Sequence, residues 1–131
     1  MEENANRLVI WLTGLSGAGK STLATRITAT LRKQGLNCLI LDGDEIRKRL
    51  HPHLGFTRAD ILDHNRRIIH YCSEQIPHYD CIIVAVIAPF HEIRRMAREA
   101  LGGNYVEVYV ECSLEEVIRR DVKGLYQKAL H

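Results

Sequence analysis

The chain has 131 residues, 46% of them apolar, and a formal net charge of +2. That length suits one domain, residues 1–131, around a single core, and so small a charge argues against a nucleic-acid partner. No apolar run approaches the length of a membrane span, and the acidic start Met1-Glu2-Glu3-Asn4 lacks a signal-peptide apolar stretch, so a cytoplasmic domain with no membrane partner is expected.

The first element is Leu8 to Thr13, an apolar run that reads as a buried strand. It feeds Gly14-Leu15-Ser16-Gly17-Ala18-Gly19-Lys20-Ser21, which matches G-x-x-x-x-G-K-[ST]. A helix then runs from Lys20 to Gln34 and stops at Gly35. The second strand covers Asn37 to Leu41 and ends in Asp42-Gly43-Asp44-Glu45, with a short turn near Glu45–Leu50. Thr57 and Asp60 mark the start of a long helix, Arg58–Gln75. Asp80 to Ile87 is a near-continuous Ile and Val run, the most buried strand by composition, and it ends in Ala88-Pro89-Phe90. A basic helix, His91–Leu101, stops at Gly102-Gly103 before the fourth strand, Tyr105 to Val110. Ser113 and Glu116 form a capping box that opens a last helix, Leu114–Val122. Strands apolar on both faces, alternating with helices, imply an α/β fold with a parallel sheet covered on each side.

The strand–loop–helix order around Lys20 is what phosphate binding needs. Glycines let successive backbone N–H groups wrap an anionic phosphate chain, and the helix N-terminus adds unpaired donors and partial positive charge. Lys20 would reach the β- and γ-phosphates, and the Ser21 hydroxyl would hold Mg²⁺. The plainer reading is a glycine-rich turn without a ligand. A dinucleotide site fits less well, because the spacing is not G-x-G-x-x-G.

Ligands bind beyond the carboxyl ends of parallel strands, so the acidic tip at Asp42 and Asp44 lies within reach of the γ-phosphate. One carboxylate would hold Mg²⁺ through water, and the other would orient or deprotonate an attacking hydroxyl. The alternative is a polar turn with Gly43 supplying a positive φ. Phe90 reads alone as core, or else as a face for a planar base. Phe56, in a loop, suits stacking and packing equally. Cations at Arg119, Arg120 and Lys123 complement a helix C-terminus, or form a lid over a transferring phosphoryl group. The other basic clusters, around Arg47, Arg66 and Arg94, read as solvated helix faces or, beside a phosphate loop, as partners of a polyanionic ligand. Cys38, Cys72, Cys81 and Cys112 have no C-x-x-C spacing and read as buried thiols in a reducing compartment.

Taken together, GLSGAGKST (Gly14–Thr22), LDGD with Arg47, LGF (Leu54–Phe56) with Asp60, NRRI (Asn65–Ile68), PF (Pro89–Phe90) and RDVKGLY (Arg120–Tyr126) resemble the adenylylsulfate kinase family. The resemblance implies a nucleotide-kinase-like P-loop NTPase fold, a three-layer α/β/α arrangement. It also implies transfer of the γ-phosphoryl of Mg·ATP to the ribose 3′-hydroxyl of adenosine 5′-phosphosulfate. ATP would be bound by Gly14, Leu15, Ser16, Gly17, Ala18, Gly19, Lys20, Ser21 and Thr22, with Arg120 near its base, and Mg²⁺ by Ser21 and Asp42. Asp44 would contact or activate the acceptor hydroxyl with Asp42 nearby. Arg47 would meet the phosphosulfate, and Phe56 would stack on its adenine. His64, Ile87, Ala88 and Phe90 would line the acceptor pocket, and Lys123 would close onto the phosphates. The family often forms homodimers.

The sequence also departs from the family pattern. The family has Asn where this chain has Glu45, Arg at Ile61, Asn at His64 and Ser at Ala88. Ile61 offers nothing to an anion, and one lost charge-assisted contact costs on the order of 2 kcal/mol, roughly thirtyfold in acceptor binding. Ala88 cannot carry a phosphorylated intermediate, so direct in-line transfer is expected. The family's glycine-containing lid, second adenine-facing aromatic and last strand do not follow the KGLY segment here. Such changes leave room for another nucleotide acceptor, for example a nucleoside diphosphoramidate, or for an ATP-binding regulatory module without transfer. A GTPase is disfavoured, since no N-K-x-D segment reads guanine.

Overall fold

Four of the apolar runs become strands of one parallel sheet: β1 (Leu8–Thr13), β2 (Cys38–Asp42), β3 (Cys81–Ala85) and β4 (Tyr105–Tyr109), in the order β2-β3-β1-β4. In this computed structural model the described residues are 7–14, 19–50, 55, 57–86 and 90–110, without the side chains of Asp44, Arg49 and Leu50. Among the described residues the helices are α1 (Lys20–Lys33), α2 (Gly43–Leu50), α3 (Arg58–Gln75) and α4 (His91–Leu101). The expected segments at residues 111–131, including Cys112, the Leu114–Val122 helix, Arg120 and Lys123, lie outside the described residues.

Register explains the layering. Leu39, Ile82 and Val9 are aligned across β2, β3 and β1, as are Leu41, Val84 and Trp11. These side chains share one face, because strand side chains alternate. They form the larger core with Ile46 of α2, Ile68, Ile69 and Cys72 of α3, and Ile93, Ala97 and Leu101 of α4. The intervening residues, Leu12, Cys38, Cys81, Ile83 and Ala85, face the other way and pack on Ala24, Leu23, Ile27 and Leu31 of α1. The chain passes from β1 over β3 to β2 through α1, then returns through α2, α3 and α4. Right-handed crossovers in opposite directions place α1, alone among the described helices, on one face. Successive crossovers diverge at β1 and β3, so the crevice at which ligands enter lies beyond the ends of these two strands.

The element reading holds, with shifts of one or two residues at most strand ends. Two local expectations are corrected. The segment after β2 is an eight-residue helix, α2, rather than a short turn. Gly43 does not take a positive φ. A Cβ there would stand 2.8 Å from Val86 Cγ1, so the glycine serves close approach to the end of β3. The start of α3 is as read: Thr57 Oγ1 accepts from the Asp60 amide at 3.1 Å. No helix among the described residues is long and apolar enough to cross a membrane.

Cys38, Cys72 and Cys81 are free and buried. Burial pushes the Cys72 thiol up to about 12 and Cys81 to about 11, so the nucleophilic thiolate is scarce at pH 8. In a Cys112→Ser protein, an aromatic disulfide reagent is therefore expected to label these thiols only as fast as the protein unfolds. A rapid burst of labelling in native buffer would contradict their burial.

Candidate active site

The phosphate loop is anchored at both ends. At its start Gly14 has φ 143, and a Cβ there would meet the Val110 carbonyl oxygen at 2.6 Å. Val110 is held beside the loop in turn, because its amide donates to the Thr13 carbonyl at 2.8 Å. Any side chain at residue 14 collides with backbone, so glycine is required. At the other end Gly19, φ 104, caps α1 without a side-chain hydrogen bond. The first amides of α1 are left to other acceptors, the arrangement a phosphate exploits. Leu15, Ser16, Gly17 and Ala18 lie outside the described residues.

Lys20, the first residue of α1, is 8% exposed, and its Nζ donates to the Gly14 carbonyl at 2.8 Å. The ammonium thus spans the two ends of the loop. Ser21 and Thr22, one and two positions on, are exposed. Ser21 Oγ donates to Asp42 Oδ2 at 3.0 Å, which joins the loop helix to the acidic end of β2. The other oxygen of Asp42 faces the Glu45 amide at 3.4 Å, in the first turn of α2. Asp42 is therefore oriented from both sides. Asp44 is the second residue of α2, with its backbone one residue beyond the seat that Gly43 takes against Val86.

Two hard oxygen donors side by side, a hydroxyl and a carboxylate, fit Mg²⁺, which takes one or two protein oxygens and leaves the rest to water and phosphates. No group of three or more His, Cys, Asp or Glu side chains with metal-binding placement exists among the described residues. A single-carboxylate site completed by phosphates is consistent with that.

The residues expected on the acceptor side that the structure describes stand on α2, on α3 and at Phe90 before α4. His64 of α3 is 4% exposed, with Nε2 3.1 Å from the Gly43 carbonyl oxygen. Arg47 donates through Nη1 to the Gly55 carbonyl oxygen. The Gly55 amide donates to Asp60 Oδ2 at 3.1 Å, so both peptide groups of Gly55 are tied down immediately before Phe56. The guanidinium expected at the phosphosulfate thus holds the Gly55 backbone. Phe90, the residue before α4, packs on the larger core, and the Arg58 guanidinium lies 4.3 Å from its ring centroid. Arg58 also pairs with Glu92. Ile61 is half-buried and packs on the same core. Phe56, Ile87 and Ala88 lie outside the described residues. The other basic clusters find acidic neighbours: Arg67 pairs with Asp63 at 2.9 Å, and Arg94 and Arg98 each approach Glu107 at 3.8 Å.

Sequence reasoning missed three contributors: Val86 as the seat of Gly43, Asp60 as the holder of Gly55, and Arg58 over Phe90. Val86 and Arg58 act through contacts distant in sequence, for which a linear pattern carries no signal, whereas Asp60 stands five residues from Gly55, within a motif already singled out.

Comparison with known proteins places this geometry. The family model described as adenylylsulphate kinase matches residues 6–131. The adenylyl-sulfate kinase of Paraburkholderia xenovorans is 45% identical over 125 residues, covering 95% of this chain and 70% of that protein. The bifunctional enzyme NodQ of Rhizobium tropici is 43% identical over 97% of this chain, which spans only 20% of that longer protein. Among solved structures, the Mycobacterium tuberculosis APS kinase CysC in complex with AMPPNP and APS superposes with a TM-score of 0.87 at 35% identity, covering 94% of this chain and 73% of that one.

Proposed function

The chain belongs to the adenylylsulphate kinase family and is an ATP-dependent kinase, and we propose that it phosphorylates the ribose 3′-hydroxyl of adenosine 5′-phosphosulfate, giving 3′-phosphoadenosine 5′-phosphosulfate. The observation that carries the reading is the 3.0 Å bond between Ser21 and Asp42. It joins the phosphate-loop helix to the acidic strand end, so the γ-phosphate and the acceptor alcohol meet at one edge of the sheet.

Lys20 neutralises the charge that grows on the transferring phosphoryl group, and the first amides of α1 hold the phosphate chain. Mg²⁺, when bound at Ser21 and Asp42, supplies further charge neutralisation across the phosphates. Asp44 accepts the proton of the attacking hydroxyl. With Ala88 in place of a nucleophile, transfer is direct and in line. His64, Ile87 and Phe90 shape the acceptor pocket, Phe56 stacks on its base, and Lys123 and Arg120 close from the C-terminal side. The reaction belongs in the cytoplasm, where three buried free thiols stay reduced.

A coupled assay over adenosine 5′-phosphosulfate and other nucleotides tests the acceptor, and adenosine 5′-phosphosulfate is expected to be used best. A second reading, the same chemistry on another nucleotide, draws on one observation: Ile61 packs into the core and brings no charge to an anion. Ile61→Arg separates the two. It is expected to lower KM for adenosine 5′-phosphosulfate severalfold, toward the roughly thirtyfold value of one charge-assisted contact. An unchanged KM would favour the other acceptor.

A further inference from the structure

We propose that His64 is a positioning residue, which aims Asp44 by gripping the peptide group on its N-terminal side. The carbonyl oxygen of Gly43 belongs to the peptide bond that joins Gly43 to Asp44. Two contacts meet at that glycine. Its Cα lies so close to the end of β3 that a Cβ would stand 2.8 Å from Val86 Cγ1 and 3.4 Å from the Ala85 carbonyl oxygen. Its carbonyl oxygen lies 3.1 Å from His64 Nε2. The first contact fixes where the strand-to-helix joint sits, and the second fixes how the Gly43–Asp44 peptide plane is turned. A peptide is planar, so orienting its carbonyl also orients the Asp44 amide and Cα.

Burial makes the grip stiff. His64 is 4% exposed and Val86 3%, so neither contact competes with bulk water. The partner at Gly43 is a carbonyl, which only accepts, so Nε2 must carry the proton. His64 thus acts on Asp44 from α3 through the peptide group, in addition to its place beside the acceptor pocket. A catalytic carboxylate must be held to within a fraction of an ångström, and small misplacements cost large factors in rate.

The proposal rests on the kinase reading with Asp44 as proton acceptor, and it is tested by two near-isosteric variants. His64→Gln keeps an N–H donor at the reach of Nε2, while His64→Met keeps length and volume without a donor. The Met protein is expected to bind AMPPNP at full stoichiometry with unchanged affinity, read through the fluorescence of Trp11, the single tryptophan. Its kcat is expected to fall about ten- to a hundredfold. The Gln protein is expected to recover most of that loss. A Met protein as fast as wild type overturns the proposal. So does a rate loss matched by lost AMPPNP-binding capacity, since that is mere loss of folded protein. Nitrogen-15 NMR of the wild-type protein gives an answer that no variant's folding affects: His64 is expected as the Nε2-protonated tautomer, and a bare Nε2 overturns the grip. A wild-type protein that phosphorylates no nucleotide would overturn the kinase reading and this proposal together, whereas the variant and tautomer results bear on the proposal alone.

Discussion

Replacing Lys20 by Ala is expected to lower kcat by at least about a thousandfold and to weaken ATP binding about tenfold, the upper range for losing one preorganised charge at a transferring group. The amine is held for this task before any ligand arrives. It is nearly buried at the first position of α1, and it donates to the Gly14 carbonyl at the loop's opposite end. A phosphate entering the loop exchanges one oxygen for another at Nζ, with no new side-chain ordering to offset. Steady-state kinetics give the rate, and titration of Trp11 fluorescence with AMPPNP gives the affinity. Turnover near wild type in Lys20→Ala would remove the donor site from residues 14–22.

Asp44→Asn is expected to lower kcat by about a hundred- to ten-thousandfold, the range for loss of a general base, while ATP affinity stays within about twofold. Asn keeps the shape and removes the proton acceptor, so a rate loss without a binding loss isolates the chemical step. Asp42→Asn is expected to behave differently. Asp42 is engaged by Ser21 on one oxygen and by the Glu45 amide on the other, so its loss disturbs the metal-side contacts and raises the magnesium requirement. If Asp42→Asn instead gave the pure rate defect, the base would be Asp42. Titrating magnesium against rate for both variants separates the two carboxylates.

Much of this molecule is legible in the linear sequence, for identifiable reasons. The strands are continuous apolar runs because both faces of a parallel sheet are covered, and that pattern tolerates few alternatives. The phosphate loop announces itself because backbone geometry admits only glycine at Gly14 and Gly19. Thr57 and Asp60 mark a helix start because the cap bond is local in sequence. What stayed hidden depends on contacts between distant segments. Gly43 is needed for its missing Cβ against Val86, 43 positions away, a contact that neither the catalytic reading of its segment nor the alternative of a positive-φ turn contains. Arg47 looked like a ligand for an anion. Its bond to the Gly55 carbonyl could be foreseen only by knowing that the chain folds back there. The α2 helix is hidden in the sequence because a helix that starts directly off a strand, with glycine first, carries no ordinary N-terminal signal.

The alternating register of the sheet has a consequence for how the enzyme can change. The residues proposed to bind the nucleoside triphosphate stand on α1, backed by Leu12, Ile83 and Ala85. Those proposed to face the alcohol stand on α2, on α3 and at Phe90, backed by Trp11, Val84 and Val86. The strands act as a partition between two workshops that share one bench. Ile61 and His64, two of the departures from the family pattern, lie in the second workshop, as does Glu45. Substitutions at Ile61 do not repack the α1 side, so they should combine additively in free energy with changes there, whereas Glu45, tied through Asp42 to Ser21, should couple to it.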